Sequence, residues 1–148
     1  MVESGEVDAD EGPLVRVREL GEQRARIEAE QLRQIATWYR GCTGVREAAA
    51  ELALLLSISE HHARRRLDLA ITLVTRLPHT LAAMEAGTVD EYKASKVAEP
   101  TACLPDETAR AVDRLVAGHL AGRDPGTIRR RVHRVVARLD PHGAADRA

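Results

Sequence analysis

The sequence predicts an all-α fold, a compact bundle of about seven short-to-medium helices. Apolar residues recur at helical spacing through most of the chain, and no segment alternates with period two for long enough to make a convincing strand. The chain has no Phe and only three aromatic residues, so its core must consist of Leu, Val, Ile and Ala, which suit close helix packing. A length of 148 residues is that of one domain with a real core.

The two ends of the chain are predicted to lie outside this domain. Residues 1–13 contain five acidic residues and no basic residue, so we expect a disordered acidic tail that Pro13 closes. Residues 14–143 form the predicted helical domain, and residues 144–148 a second disordered tail. The acidic tail, residues 1–13, contributes −5 to a net charge of −1, so the rest of the chain carries +4. A mildly basic body is compatible with nucleic-acid binding without demanding it.

The first half of the domain is predicted to contain three helices. The first runs from about Leu14 to Arg40, and the breaker 41–44 follows it. The second spans about Val45–Leu56. Ser59 is the expected N-cap of the third, which stops at Leu77 because Pro78 disfavours helical geometry in the preceding residue. The predicted inward positions are Leu32, Ile35, Ala36, Tyr39, Val45, Ala48, Ala49, Leu52, Leu55, Leu56, Ala63, Leu67, Ala70, Ile71, Val74 and Leu77.

The second half is predicted to contain four more helices. A short helix, 81–86, ends at Gly87. Residues 88–91 read as a capping box that opens a helix to about Val97, broken at Glu99-Pro100. A helix with Pro105 in its first turn carries the expected ion pair of Asp106 with Arg110. In the last helix Asp124 is the N-cap and Pro125 the first residue. The predicted inward positions are Ala109, Val112, Leu115, Val116, Leu120, Ile128, Val132, Val135, Val136 and Leu139.

The segment Val45–Pro78 has the order of a helix-turn-helix, with positive charge near the start of its second helix. In such motifs the second helix lies in the major groove. An arginine there can donate two hydrogen bonds to one guanine, at O6 and N7. Arg64 and Arg65 are therefore candidate DNA contacts. The alternative is that they form the solvated shoulder of an ordinary amphipathic helix, because the break lacks the usual Gly and the second helix is long.

The last predicted helix carries a dense set of arginines, and residues 123–138 hold a net charge of +5. Arg131, Arg134 and Arg138 are spaced to share one face, with Arg130 beside them. Such a stripe could follow a phosphate backbone and give affinity without reading sequence. The alternatives are a solvated face, or a partner for acidic surface elsewhere, including the tail.

Other kinds of site find little support. The adjacent His61 and His62 are about 100° apart around a helix, and no HExxH motif or Cys/His cluster occurs, so no metal or cofactor is predicted. No serine lies in a nucleophile elbow and no P-loop is present, so no catalytic residue is predicted. The lone cysteines Cys42 and Cys103 indicate a reduced, cytoplasmic setting. No signal peptide or membrane-spanning run is apparent.

Several stretches together carry a family resemblance. These are Ile58-Ser59 through Leu67 with its arginine triplet, Leu77-Pro78 through Gly87, the helix Val89–Val97, and Arg129 through the closing Leu139-Asp140-Pro141-His142-Gly143. In this order and spacing, residues 20–143 resemble the actinobacterial family called domain of unknown function 222, or the 13E12 repeat family.

The resemblance implies association with DNA cleavage, because family members usually continue into a C-terminal HNH nuclease module that uses His and Asn around a divalent metal. This sequence contains no Asn and no stretch that could supply such a site. We therefore expect a non-catalytic DNA-associated module, with DNA and a separate HNH nuclease chain as candidate partners. The alternative is a module, even a truncated remnant, that binds another protein or itself through an apolar helix face.

Overall fold

The computed structural model describes residues 8–143, with side chains from residue 12. Within this range the chain is helical with no strand, which confirms the predicted all-α class. Seven α-helices and one 3₁₀ turn follow one another: α1 (Asp8–Tyr39), α2 (Val45–Leu56), α3 (Glu60–Thr75), α4 (Pro78–Glu85), α5 (Glu91–Thr101), α6 (Asp106–Val116), the 3₁₀ turn Ala117–His119 and α7 (Pro125–Leu139). None of these helices is both long and apolar enough to cross a membrane.

The predicted tails fall largely outside the described residues. Residues 1–7 and 144–148 are not described, so disorder there stays a prediction. Residues 8–13, which were assigned to the acidic tail, belong to α1 instead. Pro13 therefore lies inside a helix and does not close a tail. Pro13 is the sixth residue of α1, past the four whose backbone N–H groups lack a partner within the helix, so it removes one backbone hydrogen bond near the helix start.

The core is one continuous cluster of aliphatic side chains that every α-helix helps to build. Its largest fully buried members come from α1, α3 and the segments after α3, namely Leu32, Leu67, Leu73, Leu77, Leu81, Met84, Leu120 and Ile128. Fully buried alanines such as Ala29, Ala63 and Ala94 let helix backbones approach closely. The predicted core of Leu, Val, Ile and Ala is thus confirmed, with Met84 in addition.

Helix α1 has two parts with different surroundings. Every side chain from residue 12 to residue 21 is exposed, and Ala25 is the first buried one. We call residues 12–21 the overhang. From residue 22 onward α1 packs on the body, where Arg33 pairs with Glu85 of α4 and Arg26 donates to the Ala86 carbonyl oxygen. The overhang therefore projects about 15 Å beyond the packed part of the domain.

The junction between α2 and α3 turns on one residue in a left-handed conformation. Ser57 has φ 56° and ψ 46°, and its backbone N–H bonds the carbonyls at the end of α2. Gly usually adopts this conformation at the end of a helix. Ser57 takes its place here, in a break whose sequence has no Gly. The predicted N-cap is confirmed, because the Ser59 hydroxyl accepts a hydrogen bond from the backbone N–H of His62 at 3.1 Å.

Helix α4 begins without a cap of its own and takes one from α6. Its N-cap residue, Leu77, offers no side-chain acceptor. The carboxylate of Asp113, fully buried on α6, accepts hydrogen bonds from the backbone N–H of His79 at 2.8 Å and of Thr80 at 2.9 Å. It also accepts from the Thr80 hydroxyl at 2.7 Å. Two backbone donors in the first turn of α4 are thereby satisfied by a helix far away in sequence.

Four boundaries of helices α3 to α5 differ from the prediction. Helix α3 ends at Thr75, and α4 begins at Pro78 where 81 was expected. The capping box at 88–91 is wrong: Asp90 caps α5 by accepting from the Lys93 N–H, while the Thr88 hydroxyl donates to the Ala83 carbonyl. Pro100 does not break α5 but lies in its last turn, where its missing N–H removes only one terminal hydrogen bond.

Some predicted inward residues and one ion pair are also wrong. Leu55, Leu115 and Leu139 are 79%, 55% and 42% exposed, because they lie at the edge of a helical stripe whose centre meets the core. Asp106 pairs with Arg76 at 3.1 Å, whereas Arg110 donates to the Thr75 carbonyl at the end of α3. Asp106 and Arg110 therefore each contact the end of α3 and do not pair with each other.

Candidate nucleic-acid interface

The helix–break–helix of the prediction is present as α2 and α3, which pack extensively on each other. The arginines near the start of α3 are already bound by acidic side chains. Arg64 Nε lies 3.1 Å from Asp68 on the same helix, and Arg65 lies 3.5 Å from Glu99 on α5. Both remain about half or more exposed, so these are weak surface pairs that a phosphate could replace.

Arg66 differs from its two neighbours because it is built into the body. Its side chain is only 12% exposed, lies 2.8 Å from the Glu91 carboxylate and donates to Gln31 of α1 at 2.8 Å. The same region is braced by Glu28, whose carboxylate accepts the backbone N–H of Glu91. Arg66 therefore joins α1, α3 and α5, and it is not available to a ligand as the third residue of a surface triplet.

A polar groove of about 290 Å³ lies between α1, α3 and α5. Its lining includes Arg24, His62, Arg65, the exposed Tyr92 and Ser95. The Lys96 ammonium lies 4.7 Å from the centre of the Tyr92 ring. Sequence reasoning missed this groove because its residues come from three helices. The signal that could have raised it is the exposed position of Tyr92 among the few aromatic residues.

Helix α7 is anchored as predicted. The Asp124 carboxylate accepts hydrogen bonds from the Thr127 backbone N–H at 3.0 Å and from the Thr127 hydroxyl at 2.6 Å. These bonds lower the pKa of Asp124 below its ordinary value of 3.8, and the bond from the Thr127 hydroxyl has the largest effect. Pro125 takes the first helical position. Ile128, Val132 and Val136 are buried, which fixes the opposite side of the helix toward solvent.

The arginines on that solvent side are less engaged than those of α3. Arg130 donates to the Thr127 hydroxyl at 3.2 Å. Arg131 is partly buried, whereas Arg134 and Arg138 are exposed. Across residues 8–143, no salt bridge within 4.0 Å involves Arg131, Arg134 or Arg138. They span about 10 Å along the helix, which is the axial rise of about three base pairs.

The structure does not bring the two predicted arginine groups together into one site. Arg64 and Arg65 lie on α3, and Arg130, Arg131, Arg134 and Arg138 on α7, while α5 packs against both helices. The alternative that the α7 stripe pairs with acidic surface elsewhere finds no salt bridge among the described residues, and most of the acidic tail lies outside them. For the histidines, no group of three potential metal ligands occurs within the described part of the chain.

Fold and surface together define a small all-α domain with basic faces on two of its helices and no assembled metal site in the described range. The chain belongs to the family described as "Domain of unknown function (DUF222)", whose model matches residues 14–148. The family resemblance noted in the sequence is thereby confirmed. No curated protein and no solved structure matches the chain.

Proposed function

We propose that this domain is a non-catalytic DNA-associated module and that α7 lies along the phosphate backbone of a duplex. One observation carries the proposal: on α7, Arg131, Arg134 and Arg138 are without a salt bridge in residues 8–143, whereas Arg64 and Arg65 on α3 have acidic partners. An arginine without an acidic partner can neutralise a phosphate without first losing an ion pair.

The α3 arginines take a secondary part in this proposal. A phosphate must displace Asp68 or Glu99 before it can bind Arg64 or Arg65, so each contributes less to affinity than a free arginine does. In this proposal the domain supplies DNA affinity, and an HNH nuclease module, which the family resemblance associates with such domains, supplies the cleavage. A separate HNH chain is then the natural protein partner.

The test is a salt titration of binding to a fluorescein-labelled duplex of mixed sequence, followed by fluorescence anisotropy. Four phosphate contacts from α7 give a slope of log K against log[salt] of about −3.6. Changing Arg131, Arg134 and Arg138 together to Gln should reduce that slope by about 2.7 and weaken binding to all sequences alike. Changing Arg64 and Arg65 to Gln should alter the slope by less than about 1.8.

The matched control removes the same charge elsewhere, through Arg18→Gln on α1, Arg40→Gln in the turn after it and Arg46→Gln on α2. All three are exposed and have no salt bridge among the described residues. This control should leave most of the slope intact, because only residues that touch phosphate release counterions. Absence of binding at low salt, or an equal loss in both triple variants, would refute the α7 interface.

A further inference from the structure

An apolar surface lies exposed where the end of α2 approaches the end of α1. Leu54 and Leu55 are 83% and 79% exposed, and Trp38 is 36% exposed. With Leu52 and Glu51 these residues line a groove of about 400 Å³. Three large apolar side chains around one open groove are unusual on an isolated soluble domain and mark an interaction surface. We call it the Trp38 groove.

The outer side of α1 continues this surface. Leu20, Ile27, Gln34 and Trp38 are separated by seven, seven and four residues, so they form one stripe along the helix. The stripe lies on the side away from the buried Ala25, Ala29 and Leu32. Leu20 is 47% exposed and Ile27 is 69% exposed. Leu20 lies on the overhang, where its own domain does not cover it.

We propose that this surface binds a second copy of the chain, with the two α1 helices antiparallel across a two-fold axis. Leu20 and Trp38 are eighteen residues apart on one stripe, about 27 Å along the helix. An antiparallel two-fold pairing that puts Leu20 of one copy beside Trp38 of the other creates the reciprocal contact at the same time. Leu20 of each copy then enters the Trp38 groove of its partner.

Charge complementarity favours a second copy as the occupant. Glu51 lines the groove and Glu47 lies one turn before it on α2, and neither has a salt bridge among residues 8–143. Arg16 lies one turn before Leu20 on the same side of the overhang, held only by an exposed pair with Glu19 at 3.3 Å. In the antiparallel arrangement Arg16 reaches the end of the partner's α1, where α2 presents these two carboxylates.

The extent of the surface suits a weak pair that forms as the concentration rises. Residues 16–38 of α1 form a strip about 35 Å long and about 10 Å wide, and the end of α2 widens it to about 20 Å only beside Trp38. That is on the order of 450 Å² per copy, about half of the roughly 800 Å² per partner of a standard protein interface and typical of a weak, transient pair. Its apolar centre and charged ends match the usual anatomy of such interfaces.

The first experiment is sedimentation velocity of the chain over a range of concentrations, without DNA. The wild type should form a dimer, and Leu20→Glu or Leu55→Glu should each raise the dimer dissociation constant at least tenfold. Leu14→Glu is the matched control, because Leu14 is 71% exposed on the overhang but lies on a different side of α1. It should leave the dissociation constant unchanged. Circular dichroism checks that each variant remains folded.

The second experiment tests the register by cross-linking. In a background with Cys42→Ser and Cys103→Ser, a chain carrying Leu20→Cys is mixed with one carrying Leu55→Cys and oxidised. The expected product is a disulfide between the two different chains, and Leu14→Cys should not replace Leu20→Cys in forming it. A monomer at every concentration, or a dimer indifferent to both glutamate variants, would overturn the proposal whatever the outcome of the DNA titration.

Discussion

Replacing Asp113 by Ala should destabilise the domain more than any other single change of a carboxylate among residues 12–143. Asp113 is fully buried, and its two oxygens accept three hydrogen bonds from His79 and Thr80 at the start of α4. The substitution removes the acceptor and leaves two backbone N–H groups and a hydroxyl without partners in the interior. Because α4 has no cap of its own, no local group can take over.

The magnitude follows from those three bonds. Hydrogen bonds to a charged group contribute about 1.5–3 kcal/mol each, and an unsatisfied buried donor costs about 1–3 kcal/mol. Taking the lower end for each of the three bonds gives a loss of about 4.5 kcal/mol in the free energy of unfolding. This is a large share of the ~5–15 kcal/mol that holds a domain folded, and it corresponds to a fall in melting temperature of roughly 12–15 °C.

The assay is urea and thermal unfolding followed by circular dichroism at 222 nm. Asp68→Ala on α3 is the control, since its exposed surface pair with Arg64 is expected to contribute at most about 1 kcal/mol. Asp113→Asn should fall between, because it keeps an acceptor for Thr80 and loses the one for His79. If Asp113→Ala costs no more than Asp68→Ala, the capping of α4 by α6 does not stabilise the fold and the reasoning fails.

Three further outcomes are expected. Ser57→Gly should raise the free energy of unfolding by about 0.5–1 kcal/mol in urea titrations, because Gly adopts the left-handed conformation without strain, and Ser57→Val should lower it. Leu67→Ala should lower it by about 2–5 kcal/mol in the same titrations, through the cavity left at a fully buried position. Asp124→Ala should lower the melting temperature at pH 7. Because folding lowers the pKa of Asp124, the difference from wild type should persist above pH 3.8 and disappear as the pH falls through the folded-state value. A calorimetric difference that grows in acid would contradict that cause.

Sequence reasoning placed those helices whose ends carry their own signals. Helix α2 was predicted with the bounds the structure gives, Ser59 and Asp124 cap the helices they were assigned to, and Pro125 begins α7. Local signals suffice there because each cap contacts backbone only two or three residues away. The buried stripes of α3 and α7 followed from period alone, since a spacing of three and four residues fixes which side of a helix is apolar.

The errors have a common physical origin in contacts between distant parts of the chain. On α6, Leu115 was predicted to be buried and is exposed. The structure buries Asp113 there, because its carboxylate binds the start of α4. On α2 Leu55 was placed inward, although it lies at the edge of a stripe whose centre, Leu52 and Leu56, meets the core. The polar groove beside Tyr92 and the binding of Arg66 between helices depend likewise on which helices become neighbours, which no local pattern specifies.

The position of α5 has a consequence for how this family can change over time. Because α5 packs against both α3 and α7, it acts as a spacer whose thickness sets the distance between the two basic helices, up to about 20 Å between their axes. Substitutions at its buried positions, such as Ala94 or Val97, can tilt or shift the outer helices without altering any arginine. Changes at buried positions of α5 can therefore alter the distance between the two basic helices, and with it the length of a charged ligand that both helices can contact.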